Sequence, residues 1–215
     1  MPSFTVWVCR LARGRLLTRE GRRWVKGEAW ARLGGEQQRL IRTHFTLVDG
    51  LTRMIRRLDG RIRRVAAEVP AVRLLETIPG IGPYRGLLIA TEVLPIKRFR
   101  APKYLVSYAG LAPRSSKSGL RAVRHGPIPA GVNRWLRGAL VRAVVQHAQQ
   151  SGESWLTRYY QEQTQRLGWQ VARIAAARRL ARAVHAMLRT GEAWRSELST
   201  GERGEFHEGH VAETT

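Results

Sequence analysis

A stretch of sixty residues without any carboxylate is the feature that most constrains how this chain can fold. Asp and Glu are absent from Val93 to Gly152, where the chain's overall acidic content of 16 in 215 residues predicts about four. A fold built from this stretch cannot neutralise its cations with internal ion pairs, so we expect them on the surface and facing an external polyanion, such as nucleic acid. The cations are Lys97, Arg98, Arg100, Lys103, Arg114, Lys117, Arg121, Arg124, Arg134, Arg137 and Arg142.

The charge of the whole chain is also strongly positive and unevenly distributed. The formal net charge is +22, whereas the segment from Trp194 to the end carries two Arg and five Glu. A basic body followed by a short acidic tail is typical of proteins that bind nucleic acid. We expect the tail to be disordered and solubilising, and a role in screening the basic surface when DNA is absent stays open.

Several classes of protein are excluded by what the sequence lacks. The single cysteine, Cys9, allows no internal disulfide and suits a reducing compartment. No apolar run approaches the roughly 20 residues of a membrane span, and no signal peptide is recognisable, which predicts a cytoplasmic protein with no membrane partner. With only two aspartates, Asp49 and Asp59, the chain cannot assemble the aspartate-rich set of a metal nuclease, so we expect it to bind no metal or cofactor itself.

The N-terminal part is predicted to contain a long basic helix. From Glu36 to Val69, apolar residues recur mostly at three- and four-residue steps, as on one face of an amphipathic, coiled-coil-like arm. The opposite face carries Arg53, Arg56, Arg57, Arg61, Arg63 and Arg64. Two interpretations of this arginine row stay open: a solvated face, or a face lying along a phosphate backbone.

The remainder is predicted to be mainly α, and the chain to divide into three parts. Short helices over 71–78 and from Pro83 to Pro95 flank a tight turn, and helices over 101–108, 133–147, 153–167 and 171–189 follow. The Gly- and Pro-rich segment between 112 and 131 is compatible with a small β-hairpin. We therefore expect an N-terminal segment with the basic arm over 1–69, a helical domain over 70–193 and the acidic tail over 194–215.

The turn Ile78-Pro79-Gly80-Ile81-Gly82-Pro83 predicts a helix-hairpin-helix motif. Glycines let a backbone approach a phosphate closely, and the free N–H groups at the start of the second helix then point at that phosphate. Such contacts position DNA without reading its sequence. The residues expected to contact DNA here are Gly80, Ile81, Gly82, Tyr84 and Arg85. An ordinary helical hairpin with a glycine turn is the alternative.

A cluster of hydroxyls, Ser115-Ser116-Lys117-Ser118-Gly119, lies in the middle of the acid-free stretch. A serine surrounded by guanidinium groups is suited to nucleophilic attack on a phosphodiester, because the cations stabilise the pentacovalent transition state. A flexible, phosphate-contacting loop explains the same residues. Further DNA-binding candidates are Arg114, Lys117, Arg121, Arg124, Arg134 and Arg137. Most of the seven tryptophans are expected in the core or in helix contacts, although one or two could stack on bases.

Five motifs, taken in order and spacing, resemble the C-terminal domain of transposases of the insertion-sequence 110/116/902 family. The motifs are Thr77-Ile78-Pro79-Gly80-Ile81-Gly82, Tyr108-Ala109-Gly110-Leu111-Ala112-Pro113, Ser118-Gly119, Arg124-His125-Gly126-Pro127-Ile128 and Asn133-Arg134-Trp135-Leu136-Arg137. The resemblance covers roughly residues 10 to 192.

The resemblance implies a DNA recombinase of a prokaryotic mobile element, associated with the nucleoid. Family members join an N-terminal RNase H-like domain, whose four acidic residues hold Mg²⁺, to a C-terminal domain whose serine attaches covalently to DNA. They act as homo-oligomers, dimers or tetramers, and can use a structured non-coding guide RNA. The serine stands immediately before a glycine, which here is Ser118, with Ser116 as the fallback.

Two departures from the family pattern limit the expected activity. The acidic domain is missing, and Met1 to Arg10 resembles the exit from that domain, so we expect a truncated transposase that is not competent alone. Pro129-Ala130-Gly131-Val132 stands where family members commonly have Lys and then Gly before the helix. Whether the chain is an enzyme therefore stays open. The alternatives are a non-catalytic nucleic-acid-binding protein derived from a transposase, and a structural subunit that completes the site of a full-length transposase.

Overall fold

The structure, a computed structural model, is mainly α, as predicted. It describes residues 18–112, 115–116, 124–125 and 132–197. The chain separates into two compact units, the first ending at Gly60 and the second beginning at Arg61. Within the described ranges the α-helices are α1 (Arg19–Trp24), α2 (Gly35–Glu68), α3 (Pro70–Glu76), α4 (Pro83–Val93), α5 (Pro102–Tyr108), α6 (Arg134–Gln150), α7 (Trp155–Leu167) and α8 (Trp169–Thr190).

The first unit is built on a small cluster of contacts near its start. A π-helical turn, Val25–Ala29, and a 3₁₀ turn, Trp30–Arg32, follow α1 directly. Val25, Ala29 and Leu33 are buried. The Arg22 guanidinium donates to the Asp49 carboxylate at 2.6 Å and lies 5.0 Å from the centre of the Phe45 ring. These contacts fix the chain entering α2.

Helix α2 carries the predicted apolar row, and this row faces solvent. Its 34 residues match the predicted helix closely. Six apolar side chains in the first unit are each more than half exposed, namely Leu40, Leu47, Leu51, Met54, Ile55 and Leu58. The arginines of the opposite face are exposed as well. A helix with an unburied apolar row is typical of one that packs against a partner.

The second unit has one hydrophobic core, organised around α8. This helix contacts α3, α5, α6 and α7. Alanines on its buried face, including Ala172, Ala176, Ala177 and Ala181, allow close approach of the neighbouring helices. The largest fully buried side chains include Leu75, Ile78, Ile89, Leu105, Leu111, Leu136, Leu140, Leu156 and Leu180.

Local signals in the sequence set the helix ends. The Asn133 side chain accepts a hydrogen bond from the Leu136 amide at 2.9 Å and so caps α6. Ser154 caps α7 in the same way through the Thr157 amide. Helix α8 ends at Gly191, which adopts the left-handed conformation common after helices. These caps agree with the predicted boundaries to within a few residues.

The chain after α8 folds back onto the second unit. The backbone N–H of Trp155 donates to the Ser196 carbonyl at 3.0 Å, and the Trp155 indole donates to the Arg195 carbonyl at 3.2 Å. The Trp194 ring packs 5.1 Å from the Trp155 ring, measured between centroids. Residues 194–196 are therefore part of the packed domain, although the sequence places the start of the acidic tail at Trp194. The tail beyond 197 lies outside the described residues.

Two short segments, Ser115–Ser116 (β1) and Arg124–His125 (β2), pair antiparallel, in agreement with the small hairpin expected between 112 and 131. Ser115 is opposite His125, and Ser116 is opposite Arg124.

Among the helices that the structure describes, none combines the length and apolarity required to cross a bilayer.

Candidate nucleic-acid interface

The turn between α3 and α4 requires glycine at position 80. Gly80 has a φ of +93°, a conformation that L side chains rarely adopt. A Cβ at this position would lie 2.7 Å from the His147 amide nitrogen and 2.9 Å from the Ala143 carbonyl oxygen, both on α6. The turn is therefore pressed directly onto the backbone of α6. Gly82 differs, because its φ is −100° and a Cβ there would meet nothing within 4 Å.

Two carbonyl groups of this turn, those of Pro79 and Gly80, accept hydrogen bonds from side chains. The His147 Nδ1 lies 2.8 Å from the Pro79 carbonyl oxygen, and Nδ1–H is the donor because a carbonyl only accepts. The Arg85 guanidinium donates to the Gly80 carbonyl at 2.6 Å and to the Gln146 side-chain oxygen at 3.2 Å. Carbonyl dipoles that would repel a phosphate are thereby engaged by the protein itself.

The start of α4 offers backbone N–H groups beside an open cleft. Pro83 is the first helical residue, and no side chain caps the helix, so the amides of its first turn lack an intrahelical acceptor. The cleft has a volume of about 380 Å³. Its lining consists of Glu76, Ile78, Pro79, Gly80, Ile81, Gly82, Arg85, Gln146 and Gln150. This arrangement, with a guanidinium in its wall, is suited to a phosphate group.

A buried histidine holds the turn in place. His147 is fully buried, and its Nε2 lies 2.5 Å from the Ser154 hydroxyl oxygen, which also caps α7. Burial lowers the pKa of His147 below its usual value, and the hydrogen bond to Pro79 opposes this shift only in part. Neutral His147, with Nδ1 as donor and Nε2 as acceptor, thus links the glycine turn to the start of α7. Sequence reasoning missed this link, because no local pattern connects residues 79, 147 and 154.

The predicted DNA-binding residues near the turn have different exposures. The Tyr84 side chain is exposed on α4, whereas Ile81 is 4% exposed and packs in the core. Only the backbone of Ile81 is positioned to meet a ligand. On α6, Arg134 and Arg142 are exposed. Arg137 is half-buried, and its Nη1 is buried without a hydrogen-bond partner among the described residues.

The residues on either side of the serine-bearing segment are held together by a polar cluster. The Asn133 side-chain amide donates to the Glu92 carboxylate and, at 3.2 Å, to the Tyr108 hydroxyl. The Asn133 backbone N–H donates to the Tyr108 carbonyl at 3.0 Å. Gly110 permits close approach, because a Cβ there would lie 2.9 Å from the Val132 side chain. Residues 108–110 and 132–133 are therefore fixed side by side.

Helix α8 also contacts this region. The Arg178 Nε donates to the Leu111 carbonyl at 2.9 Å. Burial lowers the pKa of Arg178, and the nearby Arg182 adds to this effect, although Tyr159 opposes it. Sequence reasoning did not single out Arg178 or Glu92, since their partners are distant in sequence. The one available signal was the position of Glu92 at the edge of the acid-free stretch.

The serine candidates lie partly outside the described residues. Ser116 is paired with Arg124, and residues directly opposite in antiparallel strands have Cα atoms about 4.5–5.5 Å apart. The structure thus brings the fallback serine next to one predicted cation. Ser118, Arg114, Lys117 and Arg121 lie outside the described residues. Within the part of the chain that is described, no group of three or more His, Cys, Asp or Glu side chains is arranged to hold a metal ion.

A mainly α scaffold with a carboxylate-free basic stretch and a glycine turn at a helix start is typical of proteins that bind nucleic acid backbones. Residues 72–161 match the model of the Transposase IS116/IS110/IS902 family, which confirms the resemblance over this segment. This match is consistent with a partial transposase domain of this family, supports a transposase function and implies an interaction with DNA. No curated protein matches the chain.

Proposed function

We propose that this chain is the DNA-binding, serine-bearing part of an insertion-sequence transposase. The observation that carries the proposal is the family match over residues 72–161, because this segment includes both the Gly80 turn and the whole acid-free stretch. In this proposal the turn acts as a helix-hairpin-helix. It binds a phosphate through the first amides of α4 and positions the DNA without reading its sequence.

The cations of the acid-free stretch extend this contact along the DNA. Arg134 and Arg142 are exposed on α6. Ion pairs between described residues join Arg22 to Asp49, Arg39 to Glu36 and Arg195 to Glu192, all outside the stretch from 93 to 152. Binding of DNA by unpaired cations releases counterions and is therefore strongly dependent on salt.

The chemistry proposed for the serine follows from the family resemblance. The Ser118 hydroxyl, or that of Ser116, loses its proton and attacks a phosphorus atom of DNA. An Oγ–P bond forms, one P–O bond to a deoxyribose breaks, and the leaving oxygen takes up a proton. Neighbouring cations such as Arg124 stabilise the charge that develops on the phosphoryl oxygens. The resemblance places Mg²⁺ in an acidic RNase H-like domain, and we propose that strand transfer requires that domain.

The proposed partners are DNA, a structured guide RNA and further copies of this chain. The exposed apolar row of α2 supports self-association, since a helix of 34 residues with such a row is suited to coiled-coil packing. A dimer is the simplest assembly, and a tetramer is compatible with the same helix.

A covalent-adduct assay tests the catalytic part of the proposal. The chain is incubated with Mg²⁺, a separately supplied RNase H-like transposase domain and labelled DNA carrying candidate element ends, and is then resolved under denaturing conditions. We expect a protein–DNA adduct that Ser118→Ala abolishes and Ser116→Ala preserves. The opposite pattern would identify Ser116 as the nucleophile, and an adduct that survives both substitutions would refute the serine assignment.

One observation favours a non-catalytic alternative. Pro129-Ala130-Gly131-Val132 replaces the Lys and Gly that family members commonly carry before the helix. A protein derived from a transposase that only binds nucleic acid would show salt-sensitive DNA binding and no adduct under any of these conditions. A titration of DNA binding alone does not separate the catalytic function from the non-catalytic one, because both predict binding. The adduct assay does separate them.

A further inference from the structure

Trp135 is the most exposed of the large hydrophobic side chains in the structure. It is the second residue of α6, and the residue is 73% exposed. The other tryptophans of the second unit have partners, since Trp155 and Trp194 pack together and the Arg173 guanidinium lies 4.6 Å from the centre of the Trp169 ring. Among the described residues, no ring or cation lies over Trp135. Tryptophan is usually largely buried, so this exposure calls for an explanation.

A glycine that packing does not require lies beside Trp135. Gly138 is inside α6, where glycine is less favourable than alanine. Its φ is not positive, and a Cβ at this position would meet nothing within 4 Å. Contacts with the described residues therefore do not explain this glycine. Gly138 is half-buried, and the absence of a side chain leaves its backbone within reach of an external group.

Trp135, Gly138 and Arg142 share one face of α6. At 100° per residue, positions 138 and 142 both lie within about 60° of position 135 around the helix axis. Arg142 is exposed, about 10.5 Å from Trp135 along the helix at 1.5 Å per residue. The three residues form a strip that we call the α6 strip. It consists of the aromatic ring of Trp135, the side-chain-free backbone at Gly138 and the guanidinium of Arg142.

We propose that the α6 strip binds an unpaired nucleotide. The base stacks on the Trp135 indole, the sugar-phosphate backbone passes over Gly138, and a phosphate meets Arg142. This inference rests on the proposed function, because it assumes that the chain binds nucleic acid.

The chemistry of the strip selects this ligand. An acidic protein partner would satisfy the cations of the acid-free stretch but would bring no flat apolar group to the indole. A nucleotide carries both a phosphate and a flat base. The faces of paired bases are covered by their neighbours in a duplex, so an unpaired base is the form that can stack on a side chain at the helix surface. Single-stranded DNA and single-stranded RNA offer the same chemistry.

Titrations with base-containing and abasic single strands of equal length and charge, and with a duplex, test the stacking. The full chain and its variants are titrated with twelve-residue oligo-dT, with oligo-rU, with a DNA of the same length made of abasic sites and with a duplex. We expect Trp135→Ala to weaken binding of the base-containing single strands about tenfold, as for stacking residues elsewhere. Trp135→Phe should retain most of the affinity. Neither variant should change binding of the abasic strand or the duplex more than twofold.

Gly138→Ala gives a second test in which stability and binding change in opposite directions. Alanine should raise the Tm by about 2–4 °C, because it favours the helix and its methyl group meets no neighbour. The same methyl group would lie in the proposed path of the sugar-phosphate backbone, so the affinity for the base-containing strands should fall. Trp169→Ala is the matched control. Trp169 is also exposed, but the Arg173 guanidinium lies over its ring, so its replacement should leave these affinities unchanged.

The outcomes separate this inference from the proposed function. If the unmodified chain binds none of the four ligands in dilute buffer, both fail. If it binds them but Trp135→Ala binds oligo-dT and oligo-rU as tightly as the unmodified chain, the α6 strip is refuted and the proposed function stands. An equal loss on the abasic strand would also refute stacking. A loss confined to oligo-dT or to oligo-rU supports the inference and identifies the source of the base as DNA or RNA.

Discussion

The two glycines of the Gly80 turn have different physical roles. Gly80 combines a φ of +93° with a backbone that touches α6, so the fold depends on it. Gly82 has an extended conformation and open space beside it, so the fold does not. Any effect of substituting Gly82 is therefore expected on the binding of a ligand that approaches the first turn of α4.

Gly80→Ala and Gly82→Ala form a matched pair of variants. We expect Gly80→Ala to lower the free energy of unfolding by about 3 kcal/mol, from backbone strain and the contact with the α6 backbone. Gly82→Ala should change it by less than about 0.5 kcal/mol but weaken duplex DNA binding. Urea unfolding and DNA titration measure the two effects. Equal stability of both variants would contradict the account of the turn.

His147 predicts how stability depends on pH. Burial lowers its pKa in the folded chain below the usual 6.5, so below this value the unfolded chain binds more protons than the folded one. The stabilisation by neutral His147 is complete above about pH 7 and is lost as the pH falls. The free energy of unfolding should therefore fall less between pH 7.5 and 5.5 in His147→Gln than in the unmodified chain. Parallel curves would show that His147 does not titrate in this way.

At the scale of elements, local signals predicted the helices well. Pro83, Asn133 and Gly191 act on the residues next to them, and α4, α6 and α8 begin or end there as expected. What the sequence could not show are contacts between distant residues. The His147–Pro79 and Arg178–Leu111 hydrogen bonds join residues 68 and 67 positions apart. The periodicity of the sequence predicted the apolar row of α2 but could not show that these side chains remain exposed.

The exposed row of α2 predicts an association that substitution should disrupt. Replacing Leu47, Leu51 and Met54 by Gln removes apolar surface that the monomer leaves in water, so the free energy of folding of the monomer should change little. The same change should shift a dimer or tetramer towards monomer. Sedimentation velocity over a range of concentrations measures this shift. Replacing Arg53, Arg56 and Arg57 by Gln is the control and should leave the association unchanged. If the apolar triple variant also associates like the unmodified chain, α2 is not the interface.

At the scale of the whole molecule, charge was the most informative property of the sequence. The net charge of +22 and the carboxylate-free stretch require no structure to be recognised. Their arrangement does require it, because Arg134 and Arg142 are exposed whereas Arg137 of the same helix is half-buried. Composition therefore predicted a polyanion partner, and the fold determines which cations are free to meet it.

The exposed cations of α6 predict the salt dependence of DNA binding. Each phosphate contact contributes about 0.9 to the slope of log K against log salt concentration for duplex DNA. Replacing Arg134 and Arg142 together by Gln should lower the slope by up to about 1.8. Arg195→Gln is the control, since Arg195 pairs with Glu192 at 3.0 Å. An unchanged slope in the double variant would place the DNA elsewhere on the protein.

The central position of α8 has a practical consequence for dissecting this chain. The family match ends at residue 161, whereas α8 supplies the fully buried Leu180 and Val184. A piece cut at 161 would lose these two side chains, each of which contributes about 1.5–3 kcal/mol by burial, and would leave their neighbours in contact with water. Such a piece should aggregate on expression, and its failure to bind would say nothing about the interface. Ending the piece after residue 197 retains the helix and the segment that packs against Trp155.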